Sequence, residues 1–381
     1  MTLGIAVVGL GGAVGTTMAA GIELLRQGAI DKRGLPLAEV NAGVAAYEDI
    51  VIGGWDLFPE DLAAAAEGHD VLTHKQFVAA EAALSQIIPW EAVADTRFSP
   101  LVDGSNKVGG TSHRAAVEKI SADIGAFKAR YDSVVVINLA STERSGRGFD
   151  SLAEFEQALD DDSPEVSPAM LYAYAAIRSD VPYGNFTPSQ AADMPALIEF
   201  AKQRGVPIAG KDGKTGQTFI KTVLAPALRS RGLHVDGWYS TNLLGNRDGL
   251  ALSNEDSLAS KVATKHSALE DILGYPVADH IIDIKYYRPR GDDKEAWDNI
   301  DISGFLGQPM QIKVNFLCKD SILAAPLAIE VARCLDLARQ RGEGGVQEQL
   351  SVFFKLPMTD GGRPQHAFHR QEEMLIDWLS A

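Results

Sequence analysis

One pattern near the N-terminus restricts the fold more than any other. Residues 5–8 are an uninterrupted apolar run, which is typical of a central strand in a parallel sheet. Residues 9–17 follow as a turn with glycines at positions 9, 11, 12 and 15, and residues 18–25 have a helical pattern. A strand, a glycine turn and a helix in this order predict a dinucleotide-binding α/β fold. The alternative is a glycine-rich turn that binds no ligand.

The acidic residue that usually follows such a turn by about 20 positions is missing. Residues 51–57 instead predict a second strand that ends near Asp56, and we expect Asp56 to bind the adenosine ribose hydroxyls. A carboxylate there favours NAD over NADP, because it would repel a 2′-phosphate. The alternative is that Asp56 caps the helix that begins shortly after it.

A second turn, residues 210–218, carries two lysines and an aspartate between glycines. It lies between a predicted strand, residues 206–209, and a predicted helix, residues 219–228, with Thr215 near the helix N-cap. Free backbone N–H groups and the positive end of the helix dipole make such a turn suitable for an anion. The alternative is an ordinary solvated loop.

Polar residues also follow two further predicted strands. Residues 134–140 have the pattern of a buried strand, and the next four residues are Ser, Thr, Glu and Arg. Asn185, Thr187 and Ser189 follow another short strand. The carboxyl ends of parallel strands are where a doubly wound sheet binds its ligands.

The formal net charge of -16 argues against nucleic acid or an anionic membrane as a partner. Cys318 and Cys334, without a CxxC pair, argue against a disulfide framework and fit the cytoplasm. The first strand leaves no room for a signal peptide, and no apolar run is long enough to span a membrane. We interpret His366 and His369 as surface histidines rather than half of a metal site.

The chain changes character after residue 232. Residues 233–241, 279–287 and 310–317 have the alternation of an antiparallel sheet, which predicts a second domain. The helical patterns of residues 320–341 and 371–379 suggest that the C-terminus rejoins the first domain.

We therefore predict an α/β protein with a Rossmann-type doubly wound parallel sheet and an inserted α+β domain. The expected boundaries are 1–213 with 321–381 for the first domain and 214–320 for the second.

Four lysines stand out in an acidic chain. Lys261 and Lys265 lie at i and i+4 on one helix face, where like charges repel unless an anion lies between them. Lys294 is predicted in a turn after a strand. Lys355 lies between two phenylalanines and a leucine, where burial would lower its pKa unless it is paired. For each lysine the alternative is an ordinary surface residue.

These segments together resemble the myo-inositol-phosphate synthase family in its shorter prokaryotic form. The resemblance covers nearly the whole chain, although residues 28–50 match weakly and Lys211 stands where an acidic or amide residue is more usual. It rests on the segments 9–12, 54–56, 141–143, 210–218, 242–249, 260–265, 291–294, 320–327 and 353–355.

The resemblance implies an NAD-dependent inositol-3-phosphate synthase, which cyclises glucose 6-phosphate to 1D-myo-inositol 3-phosphate in the first step of inositol biosynthesis. Oxidation at C5, enolisation, aldol closure and re-reduction would give no net redox change. It also implies that the inserted domain, residues 214–320, is the catalytic and oligomerisation domain, and that the protein is a cytoplasmic homotetramer.

The resemblance further implies three groups of site residues. The catalytic group is Lys261, Lys265, Lys294, Lys355, Asp248 and Asp212. The cofactor group is Gly9, Gly11, Gly12, Ala13, Val14, Asp56, Ala140, Thr142 and Asp320. The substrate group is Asn185, Gly213, Lys214, Thr215, Gly216, Gln217 and Asn242.

Two other functions compete with this one. An NAD-dependent sugar-phosphate dehydrogenase would need one acid/base group and not four lysines. An NAD-binding sensor without catalysis would have no reason to keep Lys355 in an apolar segment.

Overall fold

The computed structural model describes residues 1–40, 42–110, 112–245 and 269–381. The strands are β1 Leu3–Val8, β2 Ile50–Asp56, β3 Trp90–Glu91, β4 Ser133–Asn138, β5 Tyr183–Asn185, β6 Pro207–Gly210, β7 His234–Leu244, β8 Asp279–Tyr286, β9 Asp293–Ser303, β10 Pro309–Lys319 and β11 Gly345–Val346. The helices are α1 Ala13–Arg26, α2 Leu62–His69, α3 His74–Leu84, α4 His113–Lys128, α5 Leu152–Asp160, α6 Pro168–Arg178, α7 Pro195–Arg204, α8 Gln217–Ser230, α9 Asp320–Gln340 and α10 Phe368–Ser380. Short 3-10 turns are Tyr47–Asp49, Arg288–Arg290, Phe305–Gly307 and Glu348–Phe353.

Seven strands form one parallel sheet in the order β11-β6-β5-β4-β1-β2-β3. Successive side chains of a strand point to opposite faces, and β1 follows this rule. Leu3, Ile5 and Val7 join one core with residues of α1, α9 and α10, whereas Ala6 and Val8 join another with residues of α4, α6 and α7. Both faces are therefore covered by helices, and the predicted doubly wound α/β fold is confirmed.

The second sheet has the order β10-β9-β7-β8, and α8 packs on one of its faces. The prediction that it is wholly antiparallel is wrong, because β7 and β8 run parallel. The sequence pattern also missed β9. Lys294 is the second residue of that strand and not part of the preceding turn, since β9 pairs with β7 and β10 along most of its length.

Helix α9 links the two sheets. It starts directly after β10 and runs against α1 and against strands β4, β5 and β6 of the first sheet. Its N-terminus therefore lies where the two sheets meet. Among the described helices, none is both long and apolar enough to cross a membrane.

Candidate functional site

The glycine turn, residues 9–15, packs closely on the strands around it. The Gly9 and Leu10 N–H groups donate to the carbonyl of Trp55 at 2.9 and 3.0 Å, which fixes the turn on β2. Gly9 has φ +84°, and a Cβ there would lie 2.9 Å from Cα of Ala140. A Cβ at Gly15 would overlap the carbonyl of Leu10. Only glycine fits at these two positions, as expected where a backbone must approach a diphosphate.

Two side chains hold Gly11 from opposite sides. Its N–H donates to Oδ2 of Asp56 at 2.7 Å, and its carbonyl lies 2.7 Å from Nε2 of His69. Asp56 also accepts the N–H of Phe58 at 3.1 Å. Asp61, not Asp56, caps α2, so the capping alternative for Asp56 is wrong. The sequence interpretation missed His69, which no motif marks.

The first helical residues of α1 complete this wall. The N-cap of α1 is Gly12, which has no side chain to occupy the N–H groups of the first helical turn. Ala13 and Val14 line the adjacent cavity together with Gly9, Gly12 and Asp56. A helix N-terminus that opens into a cavity suits the diphosphate of a dinucleotide, and a buried carboxylate at the end of β2 suits its ribose. These residues therefore fit NAD.

The 210–218 turn is held by the segment that carries Lys355. Lys211 N–H donates to the carbonyl of Leu356 at 2.7 Å, and Lys355 N–H donates to the carbonyl of Asp212 at 2.7 Å. On the other side, a Cβ at Gly213 would overlap the ring of Phe186. The turn is thus packed between two distant parts of the chain.

Lys355 and Asp212 form a buried ion pair within this contact. Nζ of Lys355 lies 2.7 Å from Oδ1 of Asp212, and the two side chains are 12% and 5% exposed. Oδ2 of Asp212 has no hydrogen-bond partner among the described residues. The pairing explains how a lysine is tolerated between Phe353, Phe354 and Leu356, since a buried cation needs a compensating charge.

Lys294 belongs to a second pair on the same wall. Its Nζ lies 3.4 Å from Oδ1 of Asp320, the first residue of α9. The hydroxyl of Thr215 donates to the same oxygen at 3.0 Å. Nearby, the side-chain amide of Asn242 donates to Oε1 of Gln217. Asp320 thus connects the 210–218 turn to the second sheet.

One cavity contains both the glycine turn and these ion pairs. We call the side formed by Lys294, Lys355, Asp212 and Asp320 the lysine wall. Predicted site residues that line the cavity are Gly9, Gly12, Ala13, Val14, Asp56, Ala140, Thr142, Asp212, Gly213, Thr215, Gly216, Gln217, Asn242, Lys294, Asp320 and Lys355. Lys261, Lys265 and Asp248 lie outside the described residues.

Of the predicted site residues that the structure describes, three do not line the cavity. Gly11 directs its N–H toward the carboxylate of Asp56. Lys214 is buried against Gln371 of α10, and this burial lowers the pKa of its ammonium group to about 7. Asn185 donates to the carbonyl of Ser189 at 2.8 Å and accepts from Thr187, so it supports the loop from beneath. Neither Lys214 nor Asn185 is among the residues that line the cavity, and their contact with substrate stays a prediction.

The structure also corrects the interpretation of one side chain and locates another. His366 is only 4% exposed, with Nε2 3.8 Å from Asp271, so it is not a surface histidine; His369 is exposed. Lys211 forms a 2.6 Å ion pair with Asp193 and does not line the cavity. Within the described ranges, no group of three His, Cys, Asp or Glu side chains could hold a metal ion.

Glu143 lines the cavity but was not among the predicted site residues. It is buried, and burial raises the pKa of its carboxyl to about 7 although Ser167 and the Ala169 N–H donate to it. Asp95 contributes to the same upward shift. The sequence feature that could have identified Glu143 is its position after β4, because polar residues at the carboxyl end of a parallel strand are candidates for ligand contact.

Comparison with other proteins agrees with this geometry. An NAD-binding family model described as myo-inositol-1-phosphate synthase matches residues 36–380. The chain is 42% identical to inositol-3-phosphate synthase 1 of Bacteroides thetaiotaomicron, over 99% of this chain and 94% of that protein. It is 30% identical to inositol-3-phosphate synthase 1 of Oryza sativa, over 100% of this chain and 85% of that protein.

Solved structures show the same similarity. The crystal structure of inositol-3-phosphate synthase from Caenorhabditis elegans has a TM-score of 0.92 at 26% identity and covers 100% of this chain and 85% of its own. A myo-inositol-1-phosphate synthase-related protein from Thermotoga maritima has a TM-score of 0.85 at 25% identity, with 100% and 99% coverage.

Proposed function

The chain belongs to the myo-inositol-1-phosphate synthase family, and we propose that its cavity converts glucose 6-phosphate into 1D-myo-inositol 3-phosphate with NAD. The observation that carries the proposal is the single cavity that joins a dinucleotide-type glycine turn to the Lys355–Asp212 and Lys294–Asp320 pairs. A dinucleotide and a sugar phosphate bound there would share one enclosed space.

NAD would be held by the glycine turn, the N-terminus of α1 and Asp56, together with Ala140 and Thr142 after β4. When bound, it supplies a hydride acceptor for C5 of the sugar and a donor for the return step. Because the reaction has no net redox change, the protein must retain the cofactor through turnover. The close packing of Gly9 and Gly15 suits such retention.

The lysine wall would carry the proton transfers. We propose that the Lys355–Asp212 pair receives the proton of the C5 hydroxyl, since one carboxylate oxygen of Asp212 holds the lysine and the other is buried with no hydrogen-bond partner in the described part of the chain. Lys294 would stabilise negative charge that develops on a substrate oxygen, oriented by Asp320. Preorganised charges in a site shielded from water act strongly on developing oxyanions.

The 210–218 turn would bind the phosphate. Gly213, Thr215, Gly216 and Gln217 line the cavity at the N-terminus of α8, and Asn242 extends this surface from β7. Backbone N–H groups at a helix N-terminus attract phosphate oxygens. By resemblance alone, Lys261 would take part in proton transfer and oxyanion stabilisation, and Lys265 would share the enolate or phosphate charge. Asp248 would orient lysines or a cation.

We also propose the domain boundaries given by the sequence, 1–213 with 321–381 and 214–320. Strand β11 adds to the edge of the first sheet next to β6, and Leu350, Phe353, Leu375 and Leu379 belong to its core. These contacts support a first domain built from both ends of the chain.

The oligomer is proposed to be a homotetramer. Phe305 and Leu306, between β9 and β10, are 89% and 78% exposed, and Leu317 and Ile281 on the same sheet are also exposed. Large apolar side chains grouped on one sheet favour contact with a second copy. Light scattering of the purified protein tests the stoichiometry.

A product assay tests the activity. Purified protein is incubated with glucose 6-phosphate and NAD, and inositol phosphate and NADH are both measured. We expect inositol phosphate to form without net NADH accumulation. NADH accumulation with an oxidised sugar phosphate would identify a dehydrogenase, and NAD binding without either product would identify a sensor.

A further inference from the structure

Asp292 lies in the turn between β8 and β9, two residues before Lys294, and neither the sequence motifs nor the cavity lining gives it a role. Its side chain is buried, at 7% exposure. Ser321 donates its N–H to Oδ2 of Asp292 at 3.3 Å and its hydroxyl to Oδ1 at 3.1 Å. The N–H of Asp320 donates to the carbonyl of Asp292 at 3.3 Å. Asp292 therefore contacts the start of α9 through both its side chain and its backbone.

Helix α9 needs such a partner because it has no cap of its own. Its N-cap residue is Lys319, which makes no capping hydrogen bond. A lysine cannot accept from the free N–H groups at a helix start, and its charge is unfavourable beside the positive end of the dipole. The carboxylate of Asp292 supplies both the acceptor and the negative charge from the neighbouring turn.

The turn that carries Asp292 is itself fixed. Gly245, after β7, donates its N–H to the carbonyl of Gly291 at 3.0 Å. A Cβ at position 245 would lie 2.6 Å from the nitrogen of Gly291, so the two backbones are in close contact. Movement of the turn relative to the second sheet is therefore restricted.

We propose that Asp292 is a positioning residue that sets the distance between Lys294 and Asp320. Lys294 lies at the start of β9, two residues after Asp292, and Asp320 is the first residue of the helix that Asp292 caps. Asp320 also accepts from Thr215, so the same cap aligns the 210–218 turn with the lysine wall. The effect on catalysis rests on the proposed function, whereas the capping contact itself does not.

Three variants test this role. Asp292→Ala removes the cap, whereas Asp292→Asn keeps an acceptor for the Ser321 N–H and can donate to the Ser321 hydroxyl. Asp293→Asn is the matched control. Asp293 is the exposed neighbour and pairs only loosely with Lys319, at 3.4 Å. For Asp292→Ala we expect kcat to fall about 10- to 100-fold, since a displacement near 1 Å of a catalytic group costs this much. Asp292→Asn and Asp293→Asn should stay within about 3-fold of the parent.

The loss should lie mainly in kcat rather than in KM, because Lys294 is proposed to act on charge that develops in the transition state. Hydrogen exchange of the peptide spanning residues 319–325 provides a readout independent of activity. It should speed up in Asp292→Ala and not in the two Asn variants. If Asp292→Ala does not fold, the test uses Asp292→Asn and Asp292→Ser instead. The kcat of Asp292→Asn should then be higher than that of Asp292→Ser, because only asparagine matches the length of aspartate.

Unchanged exchange in Asp292→Ala would overturn the capping role. Faster exchange with unchanged kcat would overturn the positioning role. If the parent protein makes no inositol phosphate, the proposed function fails, and the exchange experiment still decides whether Asp292 caps α9.

Discussion

The glycine turn and the lysine wall face the same cavity but are built in different ways. The glycine turn uses backbone groups of one short segment, residues 9–15, together with the side chain of Asp56. The lysine wall uses side chains from residues 212, 294, 320 and 355, which only tertiary contacts bring together. One site therefore depends on the absence of side chains and the other on their charge.

This difference predicts how each region responds to substitution. A backbone site fails when a side chain is added, because the added atoms disturb packing and thus binding and stability together. A side-chain site fails when charge is removed, and a substitution of similar volume can leave binding and stability intact. The predictions for Lys355 and Gly15 separate these cases, and a third concerns a buried carboxyl group of the same cavity.

Lys355→Met should give the largest effect. Methionine has a similar volume, so the fold and NAD affinity should be kept. Turnover should fall by at least about 10²-fold, the usual loss for one electrostatic donor. The loss should appear at the first oxidation, so no NADH signal should build up when glucose 6-phosphate is added in a stopped-flow experiment.

Lys211→Met is the matched control for Lys355. It removes a lysine of the 210–218 turn that pairs with Asp193 at a similar distance but does not line the cavity. Its turnover should stay within about 10-fold of the parent. Near-normal turnover in Lys355→Met would show that Lys355 has only a structural role. Lost turnover with NADH accumulation would show that Lys355 acts in the aldol or return hydride step instead.

Gly15→Ala should have an intermediate effect on the other wall. The added methyl group would overlap the carbonyl of Leu10, so the turn must shift. NAD affinity measured by calorimetry should fall by about 10-fold or more, and the melting temperature should fall with it. Gly21→Ala in the same helix meets no atom within 4 Å and should stabilise the protein by about 0.5–1 kcal/mol. Equal NAD affinities and equal melting temperatures for Gly15→Ala and Gly21→Ala would contradict the packing argument.

Glu143→Gln should give the smallest effect, seen as a change in the pH dependence of stability. Burial raises the pKa of Glu143 from 4.5 to about 7, so the folded state disfavours its ionised form. The stability that this group contributes is full below pH 4.5 and is lost as the pH rises through 7. Glutamine does not titrate, so the variant should gain roughly 1–3 kcal/mol relative to the parent between pH 5 and pH 8. Parallel stability curves for the two proteins in urea would contradict this shift.

Much of the fold could be predicted because it depends on local patterns. The apolar run of β1, the glycines after it and the helical periodicity of α1 and α9 are each contained in one short segment. The second sheet was harder to predict. Strand direction depends on which strands pair, and the parallel pairing of β7 with β8 is not a property of either segment alone.

The sequence also identified Lys294, Lys355 and Asp212 as site candidates, and it marked Lys355 by its apolar neighbours. It could not show that Lys214 turns away toward α10, because a lysine in a glycine-rich turn has the same local pattern whether it faces a cavity or a helix. His69 was missed for the same reason, since only the tertiary contact with Gly11 distinguishes it.

The sequence by itself determined the strand–glycine–helix unit, since backbone conformation and side-chain periodicity are set by neighbouring residues. The tertiary structure alone decided which charges meet. Lys355 and Asp212 are 143 positions apart and are joined by backbone hydrogen bonds between residues 211–214 and 353–356. Electrostatic interactions depend on distances in space, and separation along the chain does not determine those distances.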